Sequence, residues 1–290
     1  VKIRAPAKIN LILRVVGRRA DGYHLIDTIM APVSLYDEIE IRKIERSIKT
    51  KKIAGPSITV TCKPLSAAPA GKQNLAYRAA QLVLKKTRSE QSIAIRIHKR
   101  IPVGAGLGGG SSDAAATMVG LNRLLKLGFS ARQLERLALD LGADVPFFVR
   151  GRPARARGIG ERLQPIGAIP RRWIVIVYPG FAVSTGWVFR NLPVKLTKPR
   201  VNTSITSLLK GHNNLVDMLV NDLETVTLRR FPRIQSLKDS LLRAGAAGCL
   251  MSGSGSSVFG VFRSKRKAEI AFRRLRQEEE AQAFLVHLLS

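Results

Sequence analysis

Between Pro102 and Ala116 the chain reads PVGAGLGGGSSDAAA, with Gly104, Gly106, Gly108, Gly109 and Gly110 leading into Ser111, Ser112 and Asp113. Glycine permits positive φ and close backbone approach, so several N–H groups can converge there on one anion. A helix opening near Ser112 adds the unsatisfied N–H groups of its first turn and the positive end of its dipole. The chemistry that suits this pattern is the binding of a triphosphate; a flexible loop without a ligand is the plain alternative. Gly104, Gly106 and Gly109 also satisfy G-x-G-x-x-G. A dinucleotide fold, however, needs a second strand ending in an acidic residue about 20 residues on, and here another helix follows from Ser130. A Walker loop is excluded too, because no lysine lies between Gly104 and Asp113.

Two charged residues have the chemistry for phosphoryl transfer to an alcohol. Asp144, in LGADVPFF, could accept the hydroxyl proton; a carboxylate just before Pro146 is equally an ordinary helix N-cap. Lys8 has Asn10 two residues on, hence on the same face of a strand. It could neutralise developing charge, with Mg²⁺ bridging the phosphates, or be a solvated surface lysine. His24, beside Asp21-Gly22-Tyr23, could be a general base but reads more simply as a hydrogen-bonding turn residue. His98, His212 and His287 are isolated, so a metal cluster is not supported. A second glycine-serine stretch, MSGSGSSVFG (251–260), is a hairpin turn that could also line the opposite wall of a cleft.

The elements that must position these residues follow from periodicity and punctuation. Val1 to Val16 reads as a strand pair, followed by an Asp-Gly turn over 18–24. Alternation at Ile39 and Ile41, over Ser57–Cys62 and at Ile93, Ile95 and Ile97 predicts half-buried strands. Asn74 caps a helix, a second helix is expected over 112–127, and Ser130 with Gln133 forms a capping box for a third over 131–141, stopped by Gly142. Trp173–Tyr178 reads as a buried strand and Leu192–Thr203 as an exposed connection. The remainder is expected as helices over Asn214–Thr227 and Pro232–Ala244, strands Gly248–Ser252 and Val258–Phe262, a helix Lys265–Glu279 and a strand Ala283–Leu289. That order predicts an α+β fold, with helices on one face of a largely antiparallel sheet.

The chain has 290 residues, 45% of them hydrophobic and 24% charged, which suits about two globular domains. Forty-nine Lys and Arg against 20 Asp and Glu give a net charge of +29. That excess could serve nucleic acid or anionic substrates, or be a basic background. It is spread along the chain, and its densest run, Arg150 to Arg157, lacks aromatics for base stacking. Non-specific polyanion binding is therefore expected, with no specific nucleic-acid partner. Cys62 and Cys249 have no metal or redox spacing, so reduced cytoplasmic thiols are expected. No signal-peptide pattern and no apolar run near the ~20 residues of a membrane span is visible, which predicts a soluble protein without a membrane partner.

Taken in order, PAKINLIL, ADGYH, PVGAGLGGGSSDAAA, LGADVPFF, GIGE, YPGF and GSGSSVFG resemble the GHMP small-molecule kinases over nearly the whole chain. The resemblance implies an N-terminal domain like ribosomal protein S5 domain 2, binding ATP, over residues 1–162. It implies a C-terminal ferredoxin-like α/β sandwich over 163–290, with the active site in the cleft between the two. The cofactors implied are ATP and Mg²⁺. Lys8 and Asp144 take the family's catalytic positions, and ATP binding falls on Pro102, Val103, Gly104, Ala105, Gly106, Leu107, Gly108, Gly109, Gly110, Ser111 and Ser112. Asn10, Tyr23, His24, Thr185 and Phe189 match substrate-binding positions. PAKxNLxL, ADGYH and LGADVPFF are most similar to the members acting on a cytidine diphosphate derivative of methylerythritol, whose 2-hydroxyl they phosphorylate in the non-mevalonate route to isoprenoids. Homoserine- and mevalonate-type kinases are the alternatives within the family, and an S5-like RNA-binding protein the alternative outside it.

Overall fold

Lys2–Arg18 contains no residue pair that would turn the chain back, and every residue from Ala7 to Leu13 is buried. A run covered on both faces needs hydrogen-bonded neighbours at both edges. The expected strand pair is accordingly one continuous strand, β1. The computed structural model describes residues 1–45, 56–64, 69, 71–193, 215–278 and 280–289. After the Asp-Gly turn, where the Arg19 amide donates to the Tyr23 carbonyl at 2.7 Å, β2 runs over His24–Ile44. The chain forms two compact units, and both long strands contribute to each. Unit 1 comprises Val1–Ala7, Tyr36–Val103 and Gly108–Gly151; unit 2 comprises Lys8–Leu35, Gly104–Leu107 and Arg152–Ser290.

In unit 1 the second half of β2 pairs antiparallel with β4 (Ser92–His98), from Glu38 opposite His98 to Ile44 opposite Ser92. β4 in turn pairs parallel with β3 (Ile58–Lys63). Ile39, Ile41, Ile93, Ile95 and Ile97 are all buried, as the alternation predicts. Four helices complete the unit: α1 (Leu75–Thr87), α2 (Gly109–Leu124), α3 (Ala131–Ala138) and α4 (Val145–Arg150). Asn74 caps α1, its side chain accepting from the Ala76 amide at 2.9 Å, and the Ser130–Gln133 capping box opens α3. α2 begins at Gly109 rather than at 112 and ends at 124 rather than 127. The cause of the early start is tertiary. A Cβ at Gly109 would lie 2.9 Å from Ile101 Cγ2, so the first turn packs where a larger residue could not. Burial there overrides the poor helix propensity of glycine.

In unit 2 the first half of β2 pairs antiparallel with β5 (Ala154–Gly158), which pairs with β6 (Arg162–Pro165). The basic run hides a strand: Ala154 and Ala156 are buried while Arg155 and Arg157 face away. A second sheet has the order β11–β7–β10–β9, all antiparallel, from β7 (Trp173–Tyr178), β9 (Gly248–Met251), β10 (Val258–Phe262) and β11 (Gln282–His287). Helices α7 (Pro232–Arg243) and α8 (Lys265–Glu278) pack Ile234, Leu237, Leu241, Ala268, Ala271 and Leu275 against Val175, Val177, Val258 and Phe262. A short helix α5 covers Thr185–Arg190.

The expected helix Asn214–Thr227 is not one helix. A 3₁₀ turn (Leu215–Met218) leads to β8 (Val220–Asn221), parallel to β1, and then to α6 (Glu224–Arg230). Asn221 causes the break. Its buried amide donates to the Met251 and Gly253 carbonyls, both at 2.8 Å, and accepts from the Leu223 amide at 3.0 Å. Asn214, residues 194–203 of the expected connection and Glu279 lie outside the described residues.

Candidate functional site

Unit 2 buries a lysine. Lys8 on β1 is 4% exposed, and its ammonium donates to Asn10 Oδ1 at 2.5 Å and to the Gly106 carbonyl at 3.1 Å. The same-face expectation for Lys8 and Asn10 holds, and the surface reading of Lys8 does not. Asn10 Nδ2 donates to Thr28 Oγ1 at 2.9 Å, and the Thr28 hydroxyl donates to the Ile12 carbonyl at 2.6 Å. The Lys8 backbone amide donates to the Leu107 carbonyl at 3.0 Å, so the first part of the glycine stretch is tied to β1 at two points.

The second glycine-serine stretch joins this cluster. Ser252 Oγ donates to the Gly106 carbonyl at 3.0 Å, and the Ser257 amide to the Ala105 carbonyl at 3.1 Å. A Cβ at Gly106 would land on the Ser252 carbonyl oxygen, and Gly106 has φ +78°, so this position admits only glycine. Asn221 clamps the stretch from below through the Met251 and Gly253 carbonyls. Thr185 Oγ1 lies 2.8 Å from Ser254 Oγ, which brings one substrate position of the family resemblance onto the same loop.

Tyr23 and His24 lie at the start of β2, and Phe189 on α5. The His24 ring stacks on Phe189, centroids 5.3 Å apart at 28°, while Tyr23 is 62% exposed. Phe189 is half-buried and also packs against the unit's core. Burial first, and then the Arg18 charge, lower the His24 pKa, so the ring is neutral at neutral pH and carries one donor and one acceptor. Leu25, Ile26, Asp27, Gly158 and Glu161 line a cavity of about 740 Å³ together with Arg19, Arg155, Arg157 and Arg162. Three of those arginines have acidic partners, namely Asp21, Asp27 and Glu161. The volume suits a small molecule.

Unit 1 holds the second part of the glycine stretch, Gly108–Ser112, as the start of α2. Gly108 is its N-cap in the left-handed region, and no side chain caps the helix. The first-turn N–H groups therefore remain for a ligand, which is the requirement for an anion site. Ser112 Oγ is buried with no hydrogen-bond partner among the described residues. Pro102 and Val103 precede the stretch in this unit, with Val103 exposed. These features fit a phosphate ligand.

Behind that turn lies a buried charge cluster that sequence reasoning missed. Lys99 Nζ bridges Asp37 Oδ2 at 2.5 Å and Asp113 Oδ2 at 2.8 Å. Asp37 Oδ1 also accepts from the Arg100 and Ile101 amides, at 2.6 and 2.9 Å. Asp113 Oδ1 has no partner among the described residues. Burial pulls the Lys99 pKa down, but Asp113 and Asp37 outweigh it and the net direction is up. Burial pushes the Asp113 carboxyl up to about 8; Lys99 opposes this and Asp37 reinforces it. Burial thus favours a proton on Asp113, and the two carboxylates favour the charged form of Lys99. The only sequence signal was an acidic residue inside a helix next to the phosphate motif.

Asp144 is the N-cap residue of α4, yet its side chain makes no capping hydrogen bond. The position is that of a cap; the carboxylate is not used as one. Asp144 belongs to unit 1 and Lys8 to unit 2. Among the described residues no group of three or more His, Cys, Asp or Glu is arranged to hold a metal ion.

Residues 74–152 match the GHMP kinases N terminal domain and residues 204–281 the GHMP kinases C terminal domain. The chain belongs to the GHMP kinases, and with that to the ATP-dependent small-molecule kinases. Among particular proteins, it is 48% identical to the 4-diphosphocytidyl-2-C-methyl-D-erythritol kinase of Citrifermentans bemidjiense, across 93% of this chain and 92% of the relative. It is also 48% identical to the enzyme of the same name from Syntrophotalea carbinolica, across 97% and 96%. A crystal structure of 4-(cytidine 5'-diphospho)-2C-methyl-D-erythritol kinase matches with a TM-score of 0.82 at 37% identity, covering all of both chains. A homoserine kinase from Cytophaga hutchinsonii matches at 0.77 but at 20% identity, covering 100% of this chain and 94% of that one; this likeness is one of fold alone.

The Asp113 proton makes stability depend on pH. An ordinary Asp titrates near 3.8, so between about pH 4 and 8 the folded chain keeps a proton that the unfolded chain has released. That contribution is fully present below the unfolded value and is lost as pH rises through the folded one. Asp113→Asn, which imitates the neutral carboxyl, is expected to gain in melting temperature relative to the parent chain as pH rises from about 5 to about 8.5. Thermal denaturation of both at each pH measures the difference; a constant gap would mean that Asp113 is ionised throughout.

Proposed function

We propose that the chain phosphorylates the 2-hydroxyl of 4-diphosphocytidyl-2-C-methyl-D-erythritol at the expense of ATP. The observation that carries this reading is the 48% identity, over nearly its whole length, to kinases bearing that substrate's name. The buried Lys8, the uncapped start of α2 and the unused Asp144 carboxylate supply the chemistry it needs. Free thiols at Cys62 and Cys249 suit a reducing cytoplasm, and no helix among the described residues is long and apolar enough to cross a membrane.

When bound, ATP with Mg²⁺ supplies the γ-phosphoryl group and the partial neutralisation of its charge. Gly104 to Ser112 would hold the phosphates through backbone N–H groups, a role that the uncapped start of α2 supports. Asp144 accepts the proton of the 2-hydroxyl as its oxygen bonds to phosphorus and the bridging bond to ADP breaks. Lys8 holds its ammonium toward the charge that grows on the transferring group. Asn10 orients Lys8, and Thr185 helps hold the acceptor through the loop it contacts. Tyr23, His24 and Phe189 read the cytosine: an aromatic face stacks on the base, and the neutral imidazole serves its polar edge.

Asp144→Asn and Lys8→Met each test the chemistry. Turnover is expected to fall about 10²–10⁴-fold for the loss of a general base, with ATP affinity nearly unchanged. Asp144→Asn at parental turnover would return that residue to a helix-start role.

For base reading, Tyr23→Ala is expected to raise KM for the cytidine substrate by about 10–100-fold, as stacking of ~1–3 kcal/mol implies, and to leave KM for ATP in place. Equal losses for both substrates would make Tyr23 structural.

The net charge of +29 leads to a separate expectation. Binding to heparin or RNA should occur at low salt and vanish near physiological ionic strength, because it rests on counterion release. Sequence-selective RNA binding surviving at that salt would instead support a nucleic-acid role.

A further inference from the structure

Thr28 is buried near the start of β2, where its hydroxyl both donates, to the Ile12 carbonyl, and accepts, from Asn10. We propose that Thr28 is a positioning residue for Lys8 and acts by fixing which way the Asn10 amide faces. The inference rests on the assignment of Lys8 to phosphoryl transfer.

A threonine hydroxyl has a single proton. Thr28 Oγ1 lies 2.6 Å from the Ile12 carbonyl, a group that can only accept, so the proton points there. Toward Asn10, 2.9 Å away, the same oxygen can then only accept. Asn10 must present its NH₂ to Thr28, which turns its carbonyl Oδ1 to Lys8 at 2.5 Å. Reversed, the amide would set N–H groups against an ammonium, a contact with no acceptor in it. The β1 backbone thus dictates, through two side chains, that a buried lysine meets an oxygen. Sequence spacing alone shows none of this, because Thr28 lies on another strand from Lys8.

The surroundings leave the amide little room. A Cβ at Gly253 would already lie 3.3 Å from Lys8 Nζ and 3.5 Å from Asn10 Oδ1. The second acceptor of Lys8, the Gly106 carbonyl, is itself fixed by Ser252. A reversed Asn10 amide would have to be accommodated by moving Lys8, and a reacting group displaced by about 1 Å can lose about 10²-fold in rate.

Steady-state kinetics of the full chain with ATP and the cytidine substrate test this. Thr28→Val keeps shape and removes the hydroxyl. It is expected to lower kcat about 10–100-fold with KM for ATP unchanged, while Thr28→Ser restores the parental rate. Because Thr28 acts through Asn10, the double variant Asn10→Ala/Thr28→Val is expected to be no slower than Asn10→Ala alone. If Thr28→Val does not fold, as judged by circular dichroism, Thr28→Ala enters the same cycle. The proposal is overturned if the hydroxyl-free variant keeps the parental kcat, if kcat and KM for ATP change together, or if the two losses multiply in the double variant. Lys8→Met separates this from the underlying reading. Lys8→Met with parental turnover removes the role of Lys8 itself, whereas an inactive Lys8→Met beside a fully active Thr28→Val removes only the role of Thr28.

Discussion

A buried ammonium needs acceptors, and the architecture of unit 2 around Lys8 is an arrangement for supplying them. Leaving such a charge unpaired in a protein interior costs several kcal/mol. Here two acceptors are Asn10 on the same strand and the Gly106 carbonyl, and Ser252 of the second glycine-serine stretch donates to that carbonyl. Each is fixed in turn by something else. Thr28 orients Asn10, the Ser252 and Gly255 carbonyls leave room at 106 only for glycine, and Asn221 holds the loop that carries Ser252. The two glycine-serine stretches are thus not merely similar in composition. They are hydrogen-bonded to one another, and Lys8 is bonded to one of them.

Unit 1 solves an opposite problem. An anion held at the start of α2, as proposed above, would face two carboxylates, Asp37 and Asp113, both paired to Lys99 beside the first turn. Left ionised and alone, they would cancel the attraction that the helix terminus provides. Lys99 neutralises one, and burial, which keeps a proton on Asp113, neutralises the other. The cluster can then act as a rigid tie between the strand end at Lys99 and the first turn of α2 without opposing a phosphate.

Much of this was legible in the sequence where local rules dominate. Asn74, the Ser130–Gln133 capping box, the strand Val258–Phe262 and the shared face of Lys8 and Asn10 each follow from a side chain's own spacing and chemistry. The misses share a different cause. The helix start at Gly109, the broken segment around Asn221 and the strand in the arginine run are decided by partners distant in sequence. Glycine and asparagine look like loop formers until Ile101 and the Gly253 carbonyl are next to them. Alternating Ala and Arg looks like a charged tract until β2 covers the alanines. The two glycine-serine stretches were visible because motifs concentrate residue types; Thr28, Asn221 and the Lys99 cluster were not, because each acts through a tertiary contact that no spacing encodes.

The charge of the chain has to be read with the same distinction between paired and unpaired groups. Arg14 with Asp222, Arg150 with Glu135, Arg155 with Asp27 and Lys238 with Glu224 are all close ion pairs with limited exposure. Several of the few acids are therefore engaged in fixing cations within the fold. Glu224, for instance, holds Lys238 and also accepts from the Met251 amide at the root of the second glycine-serine loop. With acids committed in this way, the excess that gives +29 falls on exposed side chains such as those of Arg266 and Lys267 at the start of α8. The field they create acts at long range and is weakened by salt, whereas the buried pairs near the site are short-ranged and nearly indifferent to it. The positive surface therefore raises the local concentration of any anion without choosing among them; in the function proposed above, that choice falls to the backbone donors of the glycine stretches and the ring pair of His24 and Phe189.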